Sequence, residues 1–108
     1  MIGIDILKVS RFKKVFNPSF RRRVFSAREQ AYCERKKGKM LHYAARFAAK
    51  EAVIKALLKR DLNLKEIEIL NRRDGSPYVC LNGVSRRVEI SLSHEYDFVV
   101  AVAVAGAR

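Results

Sequence analysis

Acidic side chains are scarce in this sequence. Eleven Asp and Glu stand against 23 Lys and Arg in 108 residues, a formal net charge of +12. Cysteine is scarce too. Cys33 and Cys80 are far apart, with no CxxC pairing and no histidine at metal-ligand spacing. That argues against a disulfide scaffold and for a reduced, cytoplasmic protein. The longest apolar run, residues 98–107, is too short to span a bilayer as a helix. No basic segment precedes an apolar core at "MIGIDI", so no signal peptide is expected. Repeats and low-complexity linkers are lacking as well, so residues 1–108 read as one domain.

The positive charge that is present is uneven. Residues 8–39 carry twelve basic and two acidic side chains, whereas residues 61–108 carry six and seven. Such a field steers polyanions or acidic proteins toward one region and says nothing of the fold. A nucleic-acid-binding module is therefore one reading of the charge. Aromatics are only 9%, with no pattern of paired stacking residues on a strand, which ranks that reading low.

Periodicity gives the architecture. Residues 2–9 alternate Ile2, Ile4 and Ile6 with Gly3, Asp5 and Leu7, as a strand does. Ser10 is a candidate cap for a short helix that stops at Asn17-Pro18, and residues 19–25 read as weakly helical. Ser26 to Glu29 fits a capping box opening a helix over about 27–36. Residues 40–60 form the longest helical pattern, rich in alanine. Strands follow at 65–71, 78–82, 87–94 and 98–105, with turns at Asp74-Gly75 and Asn82-Gly83. Helices grouped before hairpin-like strands predict an α+β fold with a largely antiparallel sheet. Cys80 reads as a core residue of its strand.

Few polar residues sit where an apolar one would be easier. Asp5 interrupts the first strand. It is either a solvent-facing strand residue or, with Gly3 leaving room on the same face, a ligand-facing carboxylate. Glu51 is the sole acid among five basic residues in "RFAAKEAVIKALLKR" (46–60). It is either half of an i,i+4 pair with Lys55, worth about 0.2–0.5 kcal/mol, or a carboxylate held for a divalent cation. Mg²⁺ commonly takes one or two protein carboxylates plus phosphate oxygens. Asp5 and Glu51 could form that pair, with Arg46, Lys50 and Lys55 placed for phosphates. His94 ends "SLSH" either as a turn residue or as a phosphate contact. His42 reads as a surface residue of the long helix.

"GIDI", "FSAREQAYC", "RFAAKEAVIKAL", "IEILN…DGSPYV" and "ISLSHEYDFVVAVAV", in that order, resemble the holo-acyl-carrier-protein synthases, the small bacterial phosphopantetheinyl transferases. The resemblance spans nearly the whole chain. It implies the phosphopantetheinyl transferase fold and transfer of the phosphopantetheine arm of coenzyme A to a serine of apo acyl carrier protein. It also implies Mg²⁺ dependence and a trimer with active sites between subunits. By motif match, Asp5 and Glu51 are metal ligands, and Lys55, Arg46, Lys50 and His94 lie along coenzyme A. Gly75 and Pro77 frame its adenine end. The acidic carrier protein is expected on the basic segment, with Arg11, Lys14, Arg21, Arg22 and Arg23 as contacts; the alternative is a merely solvated basic face. Glu51 is the first candidate for the proton acceptor and Asp5 the second. One departure is plain: "ALLKRDLNL" (56–64) has no glycine where the family carries a Gly-Thr-Gly-like turn. A chain that kept only the fold as a trimeric scaffold is a third reading.

Overall fold

The structure is a computed structural model, and it describes residues 1–106. Strand β1 (Ile2–Lys8) leads into three short helices, α1 (Val9–Val15), α2 (Pro18–Val24) and α3 (Ala27–Glu34). The long helix α4 (Lys39–Leu57) follows. A 3-10 turn (Leu64–Glu66) then leads to β2 (Ile67–Asn71), β3 (Pro77–Leu81), β4 (Val84–Ser85), β5 (Val88–Glu95) and β6 (Phe98–Ala105). The α+β class and antiparallel pairing agree with the sequence. The strands divide into two three-stranded sheets, ordered β1-β6-β5 and β2-β3-β4. No helix among the described residues is long and apolar enough to cross a membrane.

Local chemistry sets the boundaries. Asn17 accepts from the Phe20 amide at 2.8 Å, with Pro18 opening α2, a position where its missing N–H costs nothing. Ser26 and Glu29 form the expected capping box of α3. Ser10 does not cap α1. The N-cap is Lys8, and Ser10 instead donates its amide to Asp97 at 3.1 Å and its hydroxyl to the same carboxylate. Helix α4 stops three residues before the sequence pattern does, because Leu58 turns left-handed at φ 56°.

Helix α4 is central. Ala44, Ala48, Ala49, Ala52, Val53 and Ala56 are buried on it, and small side chains let the sheets approach closely. Val99, Ala101 and Ala103 of β6 meet it from one sheet, and Ile67, Ile69 and Val79 fill the core from the other. Gly3 is the tightest point. A Cβ there would collide with the Ala52 carbonyl and lie 2.7 Å from the Ala56 amide nitrogen. The space beside Asp5 is thus filled by the backbone of α4, not left open for a ligand.

The first strand's isoleucines face away from that core. Ile2, Ile4 and Ile6 are 70%, 58% and 65% exposed. They pair in register with Val104, Val102 and Val100 of β6. The outer face of this sheet is therefore an uncovered apolar surface, rimmed on β5 by Glu89, Ser91, Ser93 and Glu95. It is the outer face of this sheet that leaves apolar surface outside.

Candidate active site

Two neighbouring elements bring Asp5 and Glu51 together. Gly3 locks β1 against α4, and that contact sets Asp5 beside the helix face that carries Glu51 and Lys55. Both carboxylates are half-buried. Burial raises the Asp5 pKa above the usual carboxylate range, partly offset by Lys55. Glu51 is raised first by burial and then by the negative charge of Asp5. Two like charges side by side are unfavourable without a cation between them.

Lys55 does not make the ordinary helical pair. Its ammonium crosses to β1, 2.8 Å from the Ile4 carbonyl and 3.3 Å from the Asp5 carboxylate. Among the described residues Glu51 has no ion pair. No group of three or more His, Cys, Asp or Glu able to hold a metal occurs there either. Two adjacent carboxylates with nothing further suit Mg²⁺, which draws its remaining ligands from water and phosphate oxygens.

A second cluster lies on the same face of the sheet, at its opposite edge. A cavity of about 450 Å³ is lined by Arg46, Gly75, Pro77 and His94, together with Tyr32, His42, Asn71 and Leu92. Arg46 is nearly buried, lies 4.2 Å above the Tyr32 ring and donates to the Asn71 side chain. Asn71 in turn donates to the Gly75 carbonyl at 2.9 Å. The Arg46 Nε is buried without a hydrogen-bond partner, an uncompensated donor that a ligand acceptor would satisfy. Gly75 has φ 92°, a conformation glycine adopts without a steric penalty. The turn is further held by Asp74, which accepts from the Ser76 amide and hydroxyl.

Lys50 belongs to neither cluster. Its ammonium is fully buried and donates to Glu29 at 2.6 Å, the Val24 carbonyl at 2.7 Å and the Leu64 carbonyl at 3.0 Å. All three of its donors are used, so the expected contact with a nucleotide is corrected to a structural role. His42 is corrected as well: it lines the cavity at the edge of the Tyr32 ring, and burial lowers its pKa. Tyr32 and Asn71 were not anticipated. The one hint in the sequence was Asn71's place at a strand end just before the Asp74-Gly75 turn.

The two clusters do not meet within one chain. Asp5 lies on β1 and His94 on β5, with β6 between them. Two strand spacings separate those edges by roughly 10 Å, and none of Asp5, Glu51 or Lys55 lines the cavity. On the basic segment, Arg11, Lys14, Arg22 and Arg23 are exposed. Arg21 differs, being half-buried with its guanidinium 3.7 Å from Glu34.

Known proteins share this fold. The model of the 4'-phosphopantetheinyl transferase superfamily matches residues 1–105. A holo-[acyl-carrier-protein] synthase of Thermodesulfovibrio yellowstonii is 44% identical over 107 residues, covering 95% of each chain. That of Aquifex aeolicus is 43% identical, again over 95% of each. The crystal structure of the Helicobacter pylori synthase in complex with coenzyme A superposes with a TM-score of 0.82 at 31% identity, over 98% of this chain and 100% of that one. With identity this high over nearly full length, and with the fold reproduced, the chain belongs to the 4'-phosphopantetheinyl transferase superfamily.

Proposed function

We propose that this chain, as one domain, is a holo-acyl-carrier-protein synthase. It moves 4'-phosphopantetheine from coenzyme A to a serine hydroxyl of apo acyl carrier protein. The serine oxygen bonds to phosphorus, the diphosphate P–O bond breaks, and adenosine 3',5'-bisphosphate leaves. The reaction supports fatty acid biosynthesis in the cytoplasm. The observation that carries this reading is the half-buried pair of Asp5 and Glu51 on facing elements, with the Asp5 charge adding to burial in raising the Glu51 pKa.

Asp5 and Glu51 would hold Mg²⁺, which when bound offsets charge on the diphosphate. Glu51 accepts the serine proton, and Asp5 is the alternative acceptor. Lys55 offers its ammonium to a phosphate while anchored on the Ile4 carbonyl. Arg46 and His94 bind phosphate groups in the cavity, and Gly75 and Pro77 frame the adenine. Fixed cations lower the barrier where charge develops on the leaving phosphate. Arg11, Lys14, Arg22 and Arg23 dock the acidic carrier protein, with Arg21 contributing once freed from Glu34.

The separation of the two clusters supports a homotrimer in which the Asp5 cluster of one subunit faces the cavity of the next. The exposed apolar face of β1 and β6 is a suitable interface. Mass spectrometry of apo acyl carrier protein after incubation with the chain, coenzyme A and Mg²⁺ tests the reading. The expected result is conversion to the holo form, abolished in Glu51→Gln with the fold intact by circular dichroism. Unchanged turnover in that variant would remove Glu51 from the site.

A further inference from the structure

We infer that Tyr96, at the tip of the β5–β6 hairpin, is an apolar anchor for the acidic carrier protein, working beside the cations of α1. The inference rests on the transferase reading and adds a contact that the basic segment does not contain. Tyr96 is 93% exposed and adopts φ 53°. It is the first residue of a two-residue turn between Glu95 and Phe98, a place where glycine or asparagine avoids the steric cost. A tyrosine in that conformation, with almost no burial, gains nothing within its own chain. Exposed residues held in unfavourable backbone conformations concentrate at sites that act on something else.

The tip is fixed relative to α1. The Asp97 carbonyl accepts from the Val9 amide at 2.7 Å, and the Asp97 carboxylate accepts from the Ser10 amide at 3.1 Å and from the Ser10 hydroxyl. These bonds set Tyr96 one peptide away from the start of the helix that presents Arg11 and Lys14. Cations at such a surface speed encounter with an acidic partner, while a desolvated aromatic ring supplies holding energy. Tyrosine suits that role because only two side-chain torsions must be ordered.

The test is steady-state kinetics with apo acyl carrier protein and coenzyme A varied in turn. Tyr96→Gly is expected to raise Tm by relieving the backbone, yet to raise KM for the carrier protein about five-fold or more. KM for coenzyme A stays at its wild-type value, and Tyr96→Phe keeps most of the carrier affinity. An unchanged carrier KM in Tyr96→Gly, alongside normal wild-type turnover, overturns the anchor and leaves the transferase reading intact. A rise confined to coenzyme A overturns it in favour of a nucleotide contact. A fall in oligomeric mass with both KM values unchanged overturns it in favour of a contact between copies. Absent wild-type turnover would overturn both readings together.

Discussion

The Lys50 ammonium lies 2.6 Å from the Glu29 carboxylate, and both side chains are completely buried. Glu29 also accepts from the Ser26 amide at 2.9 Å and the Ile69 amide at 2.8 Å. One ion pair thus ties α3, α4 and β2 together through hydrogen bonds at both ends. Burial opposes both charges, raising the Glu29 pKa and lowering that of Lys50. Removing one partner strands the other, so Lys50→Met and Glu29→Gln should each cost about 3–5 kcal/mol. The double replacement should recover a large part of that loss. Urea denaturation of the four proteins measures the coupling; additive losses would show that the pair does not act as a unit.

That pair marks where sequence reasoning reached its limit. The capping box at Ser26 and Glu29 was legible because its signal is local, four residues with a fixed spacing. The contact of Glu29 with Lys50 was not, because it joins residues 21 apart in sequence through tertiary packing. Alternation located β1 and β6 but could not say which face is inner. Both faces of β1 hold apolar residues, and the decision came from Gly3, whose missing side chain admits α4. Asp5, Glu51 and Lys55 were found because charged residues among alanines and isoleucines stand out. Tyr32 and Asn71 are ordinary in sequence and gain meaning only through Arg46.

Arg28 grips Glu68 with two nitrogens, at 3.1 and 2.6 Å. Its hydrogen bonds are the leading cause of a Glu68 pKa below the ordinary value. A lowered folded pKa contributes stability that is present above the unfolded value near 4.3 and is lost as pH falls through the folded one. Arg28→Ala should therefore destabilise the chain at pH 7, and the loss should shrink below about pH 4. Denaturation at pH 7 and pH 3 checks it. An equal loss at both would assign the effect to packing.

Leu58 occupies the C-cap of α4 at φ 56° and ψ 32°, where a side chain costs roughly 1–2 kcal/mol. It is 65% exposed, so little burial compensates. Glycine would sit here without strain. Leu58→Gly should stabilise the chain by about 0.5–1 kcal/mol once the added freedom of the unfolded glycine is counted. For a domain of this length that amounts to a rise of about 2–8 °C in Tm. Calorimetry tests it, and a lowered Tm would mean that the leucine side chain makes a stabilising contact in the assembled protein.

Ile4 lies in the middle of the exposed face, between Ile2 and Ile6 on its strand and opposite Val102 of β6. Leaving so much contiguous apolar surface in water is unusual for a lone chain. A charge there would lose little in an isolated subunit, since the side chain is already 58% exposed. It would be costly in a face-to-face assembly, where an unpaired ammonium is desolvated. If the proposed trimer forms through this face, Ile4→Lys should reduce the molar mass measured by light scattering to that of a monomer while preserving the circular dichroism spectrum. It should also abolish transfer, because Asp5 and Glu51 would no longer face a neighbouring cavity. A monomeric wild-type chain with full activity would overturn the trimer and place the whole site within one subunit.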